Sequence, residues 1–189
     1  MNTNGVLSFG RSYNQVSGGG RNFDSVSSPP IIAPFWDDID VSVGGLIYYR
    51  QVSDFATADL VRREVVSQFP EVDGFFPFVV FVATWDRVAQ FAGRNGSFNT
   101  FQTVIASDGS RTFVRFAYGD IQWGRSRTLI GVSAGDRLNF VTHPASLSPS
   151  VLSLDGTNVT YRVDSKLSII VDACIVGILS TVTTYTKAP

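Results

Sequence analysis

Apolar residues fall along this chain in short runs separated by clusters of glycine, proline and serine. Breakers at Gly18-Gly19-Gly20, Ser27-Ser28-Pro29-Pro30, Gly44-Gly45, Asp108-Gly109 and Ser146–Pro149 cut it into segments of strand length. The segments between them predict strands at Val6–Phe9, Ile31–Phe35, Leu46–Arg50, Phe78–Thr84, Phe101–Ser107, Arg111–Tyr118, Leu129–Val132 and Asn158–Val163. One stretch has a different period. Phe55, Ala58, Val61, Val65 and Phe69 recur at the three- and four-residue steps of a helix. Ser53 or Thr57 can cap its start, and Pro70 cannot continue it. The pattern predicts a β-dominated α+β fold: antiparallel β-sheets in a sandwich-like arrangement, with one main amphipathic helix near residues 53–69.

The strongest local signal is Asp108-Gly109. A two-residue Asp-Gly loop favours a type I′ turn, since both central positions need positive φ. That register pairs Ser107 with Ser110, Ile105 with Thr112, Thr103 with Val114 and Phe101 with Phe116. One face then carries Phe101, Thr103, Ile105, Val114, Phe116 and Tyr118 and points inward. The other mixes Gln102, Ala106, Arg111 and Arg115 with Val104 and Phe113, so another element should cover part of it.

Composition narrows the class. A chain of 189 residues fits one domain, and it needs no staples to hold a core of that size. Hydrophobic and charged fractions of 44% and 16% describe a packed globular protein, and 13% aromatic residues favour strands. Fifteen basic and sixteen acidic residues nearly cancel, without the basic stripe of a nucleic-acid binder. Cys174 stands alone, so no intrachain disulfide forms. The opening Met1-Asn2-Thr3-Asn4-Gly5 has neither the basic nor the apolar region of a signal peptide. Leu167–Val182 is apolar but short for a membrane span, and Asp172 would sit near its centre at a cost of about 2.5–3.5 kcal/mol. No span is expected; an added edge strand or an aggregation-prone tail fits better.

Candidate chemistry is sparse. His143 is the sole histidine, and no Gly-x-Ser-x-Gly elbow supplies a nucleophile for it. One histidine and one cysteine cannot build a zinc site, and Gly18-Gly19-Gly20 lacks the following Lys-Ser/Thr of a phosphate loop. Asp37, Asp38 and Asp40 are hard oxygen donors that calcium accepts, with a solvated turn after Phe35-Trp36 as the plainer reading. Trp36, Trp85 and Trp123 fit either a ligand platform or core filling, and the apolar runs before them favour the core. Asn95-Gly96-Ser97 and Asn158-Val159-Thr160 are glycosylation sequons, with Asn95 better placed in a loop.

Seven blocks carry a family resemblance: Asn4–Gly10, Ile32–Asp40, Gly45–Arg50, Phe81–Val88, Asn99–Gln102, Ser107–Ser110 and Phe116–Trp123. In that order and spacing, from residue 2 to about 164, they resemble the NIDO domain family of extracellular mosaic proteins. The resemblance implies an N-terminally truncated NIDO-like domain over residues 1–164 and an unassigned apolar tail over 165–189. It also implies an extracellular location, the signal peptide being lost by truncation. The role it implies is a non-enzymatic structural module of cell–matrix adhesion, whose partners are matrix proteins or glycoproteins and neighbouring modules of a larger parent. No catalytic or cofactor-binding residues carry over. Two rival readings stay open: a calcium-dependent or lectin-like ligand-binding module, and a glycan-cleaving enzyme using scattered carboxylates.

Overall fold

The computed structural model describes residues 1–93 and 96–163, and the backbone of residues 186–187. Its strands are β1 (Leu7–Ser8), β2 (Ile31–Trp36), β3 (Ile39–Asp40), β4 (Leu46–Gln51), β5 (Val79–Gln90), β6 (Phe98–Ser107), β7 (Thr112–Ile121), β8 (Leu129–Ser133), β9 (Phe140–Thr142), β10 (Asn158–Arg162) and β11 (Thr186–Lys187). One helix, α1 (Phe55–Gln68), and two short 3-10 turns complete the described elements. A small sheet has the order β1-β2-β8-β9, and a large one runs β10-β7-β6-β5-β4-β11 with β3 alongside β5. The named ladders are antiparallel.

The two sheets face each other. Ile32, Ile130 and Val132 of the small sheet meet Ala83, Trp85, Phe101 and Phe116 of the large one in the main core. The far side of the large sheet carries α1, where Val65 packs with Val52, Val80, Val104 and Phe113. This is the cover that the mixed second face of the β6–β7 hairpin called for. Beyond the small sheet, Phe23 and Trp36 close a third cluster with Ile31, Ala33 and Leu129. With both faces covered, every residue of Ile31–Trp36 is buried, which explains an unbroken apolar run in place of alternation.

The helix differs from expectation at its start. Its cap is Asp54, not Ser53 or Thr57: the carboxylate accepts from the Thr57 N–H at 2.8 Å, three residues on. Hydrogen bonds from Thr57 hold the Asp54 carboxyl below its usual pKa. Phe55 leaves the core-facing stripe; it is 72% exposed and stacks on Phe76 at 5.3 Å. Strand β5 outruns the expected end at Thr84, because a bulge between Trp85 and Val88 lets pairing resume.

The hairpin register is also corrected. Ser107 pairs with Thr112, Ile105 with Val114, Thr103 with Phe116 and Phe101 with Tyr118, two residues beyond the expected partners. Positive φ occurs at Gly109 (+85°) but not at Asp108, so the turn is not type I′. The physical cause lies in Asp108. Its carboxylate accepts from the Ser110 and Arg111 backbone N–H groups at 3.0 and 2.7 Å and from the Arg111 guanidinium at 2.7 Å. The central pair thereby becomes Gly109-Ser110. A slip of two residues preserves the faces, and all six expected inward residues are buried.

Of residues 165–189, the described pair Thr186–Lys187 lies antiparallel to Tyr49 and Tyr48 at the outer edge of β4. The apolar stretch Leu167–Val182 lies outside the described residues. Among the described residues no helix is long and apolar enough to cross a membrane.

Candidate functional site

Five of the seven sequence blocks meet in and beside the inter-sheet core and tie one another together. Asn4 accepts through Oδ1 from the Ile39 N–H at 3.0 Å, joining the first block to the second. Gly5 beside it has φ +76°, and a Cβ there would lie 1.9 Å from the Phe35 carbonyl oxygen, so only glycine fits. The Tyr118 hydroxyl donates to the Pro34 carbonyl at 2.9 Å. Asn99, fully buried, accepts from the Gln122 and Trp123 N–H groups and donates to the Trp123 carbonyl. Phe35 stacks on Phe101 at 5.3 Å and meets Trp123 edge-on at 5.3 Å, while Trp85 stacks on the same Phe101 at 5.1 Å.

The tryptophans are therefore core. Trp36 and Trp85 are fully buried and Trp123 is 5% exposed. Each indole N–H is used internally, on the carbonyls of Gln15, Asn2 and Val88 respectively. None of them offers a ligand platform.

The acidic cluster divides. Asp37 is fully buried, which the reading as a solvated turn had not anticipated. Its Oδ2 accepts from the Thr128 hydroxyl at 2.6 Å; its Oδ1 accepts from Arg127 Nε at 3.3 Å and from the Asp38 N–H at 2.8 Å. Arg125 stands 4.0 Å away. Asp37 thus locks the 125–128 loop onto the end of β2. Asp38 lies 3.6 Å from the Arg127 guanidinium. Asp40 holds the Ser42 hydroxyl and N–H at 2.5 and 2.9 Å, and these bonds lower its pKa. Among the described residues no three His, Cys, Asp or Glu side chains gather as a metal-ligand set. Arg127 and Thr128 are the partners that sequence reasoning missed; nothing local links them to a residue some ninety positions earlier.

His143 accepts at Nδ1 from the Ala145 N–H at 3.0 Å, and burial pushes its pKa down. Asn158 is exposed at the start of β10. Asn95 lies outside the described residues.

A cavity of about 320 Å³ lies between α1 and the helix-side face of the large sheet. Its floor is a single cross-strand row, Arg50–Val82–Val104–Arg115. The adjacent row is Tyr48–Thr84–Gln102, in which the Gln102 amide donates to the Thr84 hydroxyl at 2.8 Å. Leu60, Val61 and Glu64 of α1 form the wall, and Glu64 pairs with Arg115 at 2.5 Å. The Nε–H of Arg115 and the hydroxyl of Thr160, paired across the β7–β10 ladder, are both buried without a hydrogen-bond partner among the described residues.

Comparison with known proteins gives a consistent answer. The family model of the nidogen-like domain matches residues 1–163. Alpha-tectorin of Mus musculus is 31% identical over 188 residues, covering 88% of this chain and 9% of that protein. Nidogen-2 of Mus musculus is 37% identical over 129 residues, covering 62% of this chain and 9% of that protein. Mucin-4 of Mus musculus is 27% identical over 144 residues, covering 69% of this chain and 4% of that protein. The chain thus spans under a tenth of the length of these relatives. No solved structure matches it.

Proposed function

We propose that this chain, which belongs to the nidogen-like (NIDO) domain family, is a non-enzymatic extracellular module that contributes to cell–matrix adhesion. The observation that carries this reading is the family match over residues 1–163, with relatives named alpha-tectorin and nidogen. The use of polar residues supports it. Asn4, Asn99 and Asp37, buried polar residues of the shared blocks, hydrogen-bond to other blocks and loops. A catalytic site instead keeps such groups turned toward a substrate.

The partners this reading implies are matrix proteins or glycoproteins, together with neighbouring modules of a longer parent. In a secreted form, Asn95 and Asn158 are the acceptors for N-linked glycan. The test is cell attachment to surfaces coated with the purified domain. Attachment above an albumin-coated surface, inhibited by soluble domain, is expected. Attachment no greater than on albumin would refute the adhesion role. Turnover of any hydrolase substrate that disappears in His143→Ala would refute the non-enzymatic one.

A further inference from the structure

Strand β10 closes one side of the large sheet, and no described strand pairs with its outer edge. Two bonds fix which of its main-chain groups look outward. The Tyr118 N–H donates to the Thr157 carbonyl and the Val163 N–H to the Thr112 carbonyl, each at 2.9 Å. In an antiparallel ladder only alternate residues bond a given neighbour. Thr157, Val159, Tyr161 and Val163 therefore face β7, while the N–H and C=O groups of Asn158 and Thr160 point away from the sheet. The β6–β7 hairpin agrees. Its Asp108 N–H bonds the Arg111 carbonyl at 3.1 Å, which assigns the alternate set of β7 residues to β6. Open edges are usually guarded by charge or proline. In Asn158-Val159-Thr160-Tyr161-Arg162 there is one charge and no proline.

We propose that this edge pairs antiparallel with the β10 edge of a second copy of this chain, about a two-fold axis at Val159. That register sets Asn158 of each copy opposite Thr160 of the other, and each of the two pairs exchanges two main-chain hydrogen bonds. The side chains match as well as the backbone. Asn158 and Thr160 stand on the helix-side face, beside Ala117 and Arg115 of their own sheet. Across the axis the Asn158 amide lies opposite the Thr160 hydroxyl, which has no hydrogen-bond partner among the described residues. On the other face Val159 meets Val159, apolar against apolar. Arg162 of one copy arrives beside Asp155 of the other, so opposite charges meet at both ends of the paired segment. A net charge of −1 leaves no long-range repulsion between copies. This match of each side chain to its counterpart favours a second copy over an unrelated strand.

The inference rests on the adhesion reading and names a partner for it, a second copy of the same domain. A five-residue edge buries far less than the ~1,200–2,000 Å² of a stable complex, so two free copies associate weakly and arrays of them gain by multivalency. Its failure is separable from that of the adhesion reading, since cells can attach to a monomeric domain through another partner. The test uses the full chain made in bacteria, where both sequons stay bare. Sedimentation equilibrium at up to about 1 mM should show a monomer–dimer equilibrium. Thr160→Pro should abolish it while the melting temperature stays within a few degrees of the parent, because the lost N–H points away from β7. With Cys174→Ser as background, Val159→Cys should give a disulfide-linked dimer under mild oxidation, its Cα atoms being about 4.5 Å apart across the axis. Thr160→Cys should give far less, at roughly 8 Å in this register. The two cysteine variants carry the test if the proline variant does not fold. A chain monomeric at every concentration, association unchanged in a folded Thr160→Pro, or equal cross-linking of the two cysteine variants would overturn the proposal. So would an intrachain disulfide in Val159→Cys with Cys174 retained, which would put the chain's own tail on the edge.

Discussion

Replacing Asp37 with alanine removes the acceptor that holds the 125–128 loop. The loss is worked from its partners. The Thr128 hydroxyl is fully buried, donates at 2.6 Å and would be left without an acceptor, a cost of about 1–3 kcal/mol. The Asp38 N–H, bonded at 2.8 Å, loses a charge-assisted bond of about 1.5 kcal/mol or somewhat less. Arg127 is 39% exposed and can rehydrate, so its pairing adds only about 0.5 kcal/mol. Asp37→Ala should therefore destabilise the domain by roughly 3–4 kcal/mol, lowering the melting temperature by about 6–15 °C for a domain of this size. Asp37→Asn keeps one acceptor oxygen and should lose about half as much. The assay is urea unfolding with an unchanged m-value. Adding Thr128→Val to Asp37→Ala should recover about 1 kcal/mol, since an apolar isostere replaces the orphaned hydroxyl. An alanine variant within about 1 kcal/mol of the parent would refute the account of Asp37 as a structural lock.

Other outcomes follow from the same structure. Gly109→Val should cost roughly 1–2 kcal/mol by denaturant midpoint. Its φ is +85°, and a Cβ there would lie 2.9 Å from the Phe78 ring; an unchanged midpoint would contradict the turn. Calcium added to the purified domain should leave its melting temperature unchanged, and a rise of several degrees would support the metal reading of Asp37, Asp38 and Asp40. His143 has its pKa lowered by burial, so between its folded and unfolded values the unfolded chain binds more protons. Stability should fall as pH drops below about 6.5, and His143→Gln should abolish that part of the pH dependence. Secretion from a eukaryotic cell behind an added signal sequence should place glycan on Asn95, and a mass unchanged by glycosidase treatment would exclude it. Residues 1–166 should express more soluble protein than the full chain and melt within a few degrees of it, since Ile169-Ile170-Val171 and Ile175-Val176 combine β-propensity with low charge; an insoluble truncation would show that the tail belongs to the fold.

Period and burial were legible along the chain because each is a local property. The three- and four-residue stripe became α1, and the short apolar runs between breakers became strands. The inward residues of the hairpin were identifiable even though its register was not. Side chains alternate with a period of two, so a slip of two residues leaves the hydrophobic pattern unchanged. The choice between those registers lay in the Asp108 carboxylate capturing the Ser110 and Arg111 N–H groups, which no hydrophobic pattern records.

The seven blocks likewise identified the family without revealing why they recur together. Their reason is spatial: Asn4 meets Ile39, Tyr118 meets Pro34, and Phe35 sits between Phe101 and Trp123. The candidate sites were the least legible part. Asp37, a plausible ion ligand in isolation, has its oxygens taken up by Arg127 and Thr128, which only the packing of the 125–128 loop against β2 brings near. Arg50 and Arg115 lie sixty-five positions apart and share a row only because β5 and β6 pair between them. By itself the sequence determined the face of most apolar residues, since the hydrophobic effect acts on each side chain where it stands, though not the exposure of Phe55 or the burial of Asp37. Which polar group meets which was decided by the tertiary structure, because hydrogen bonds and ion pairs act over a few ångströms and depend on topology that periodicity does not encode.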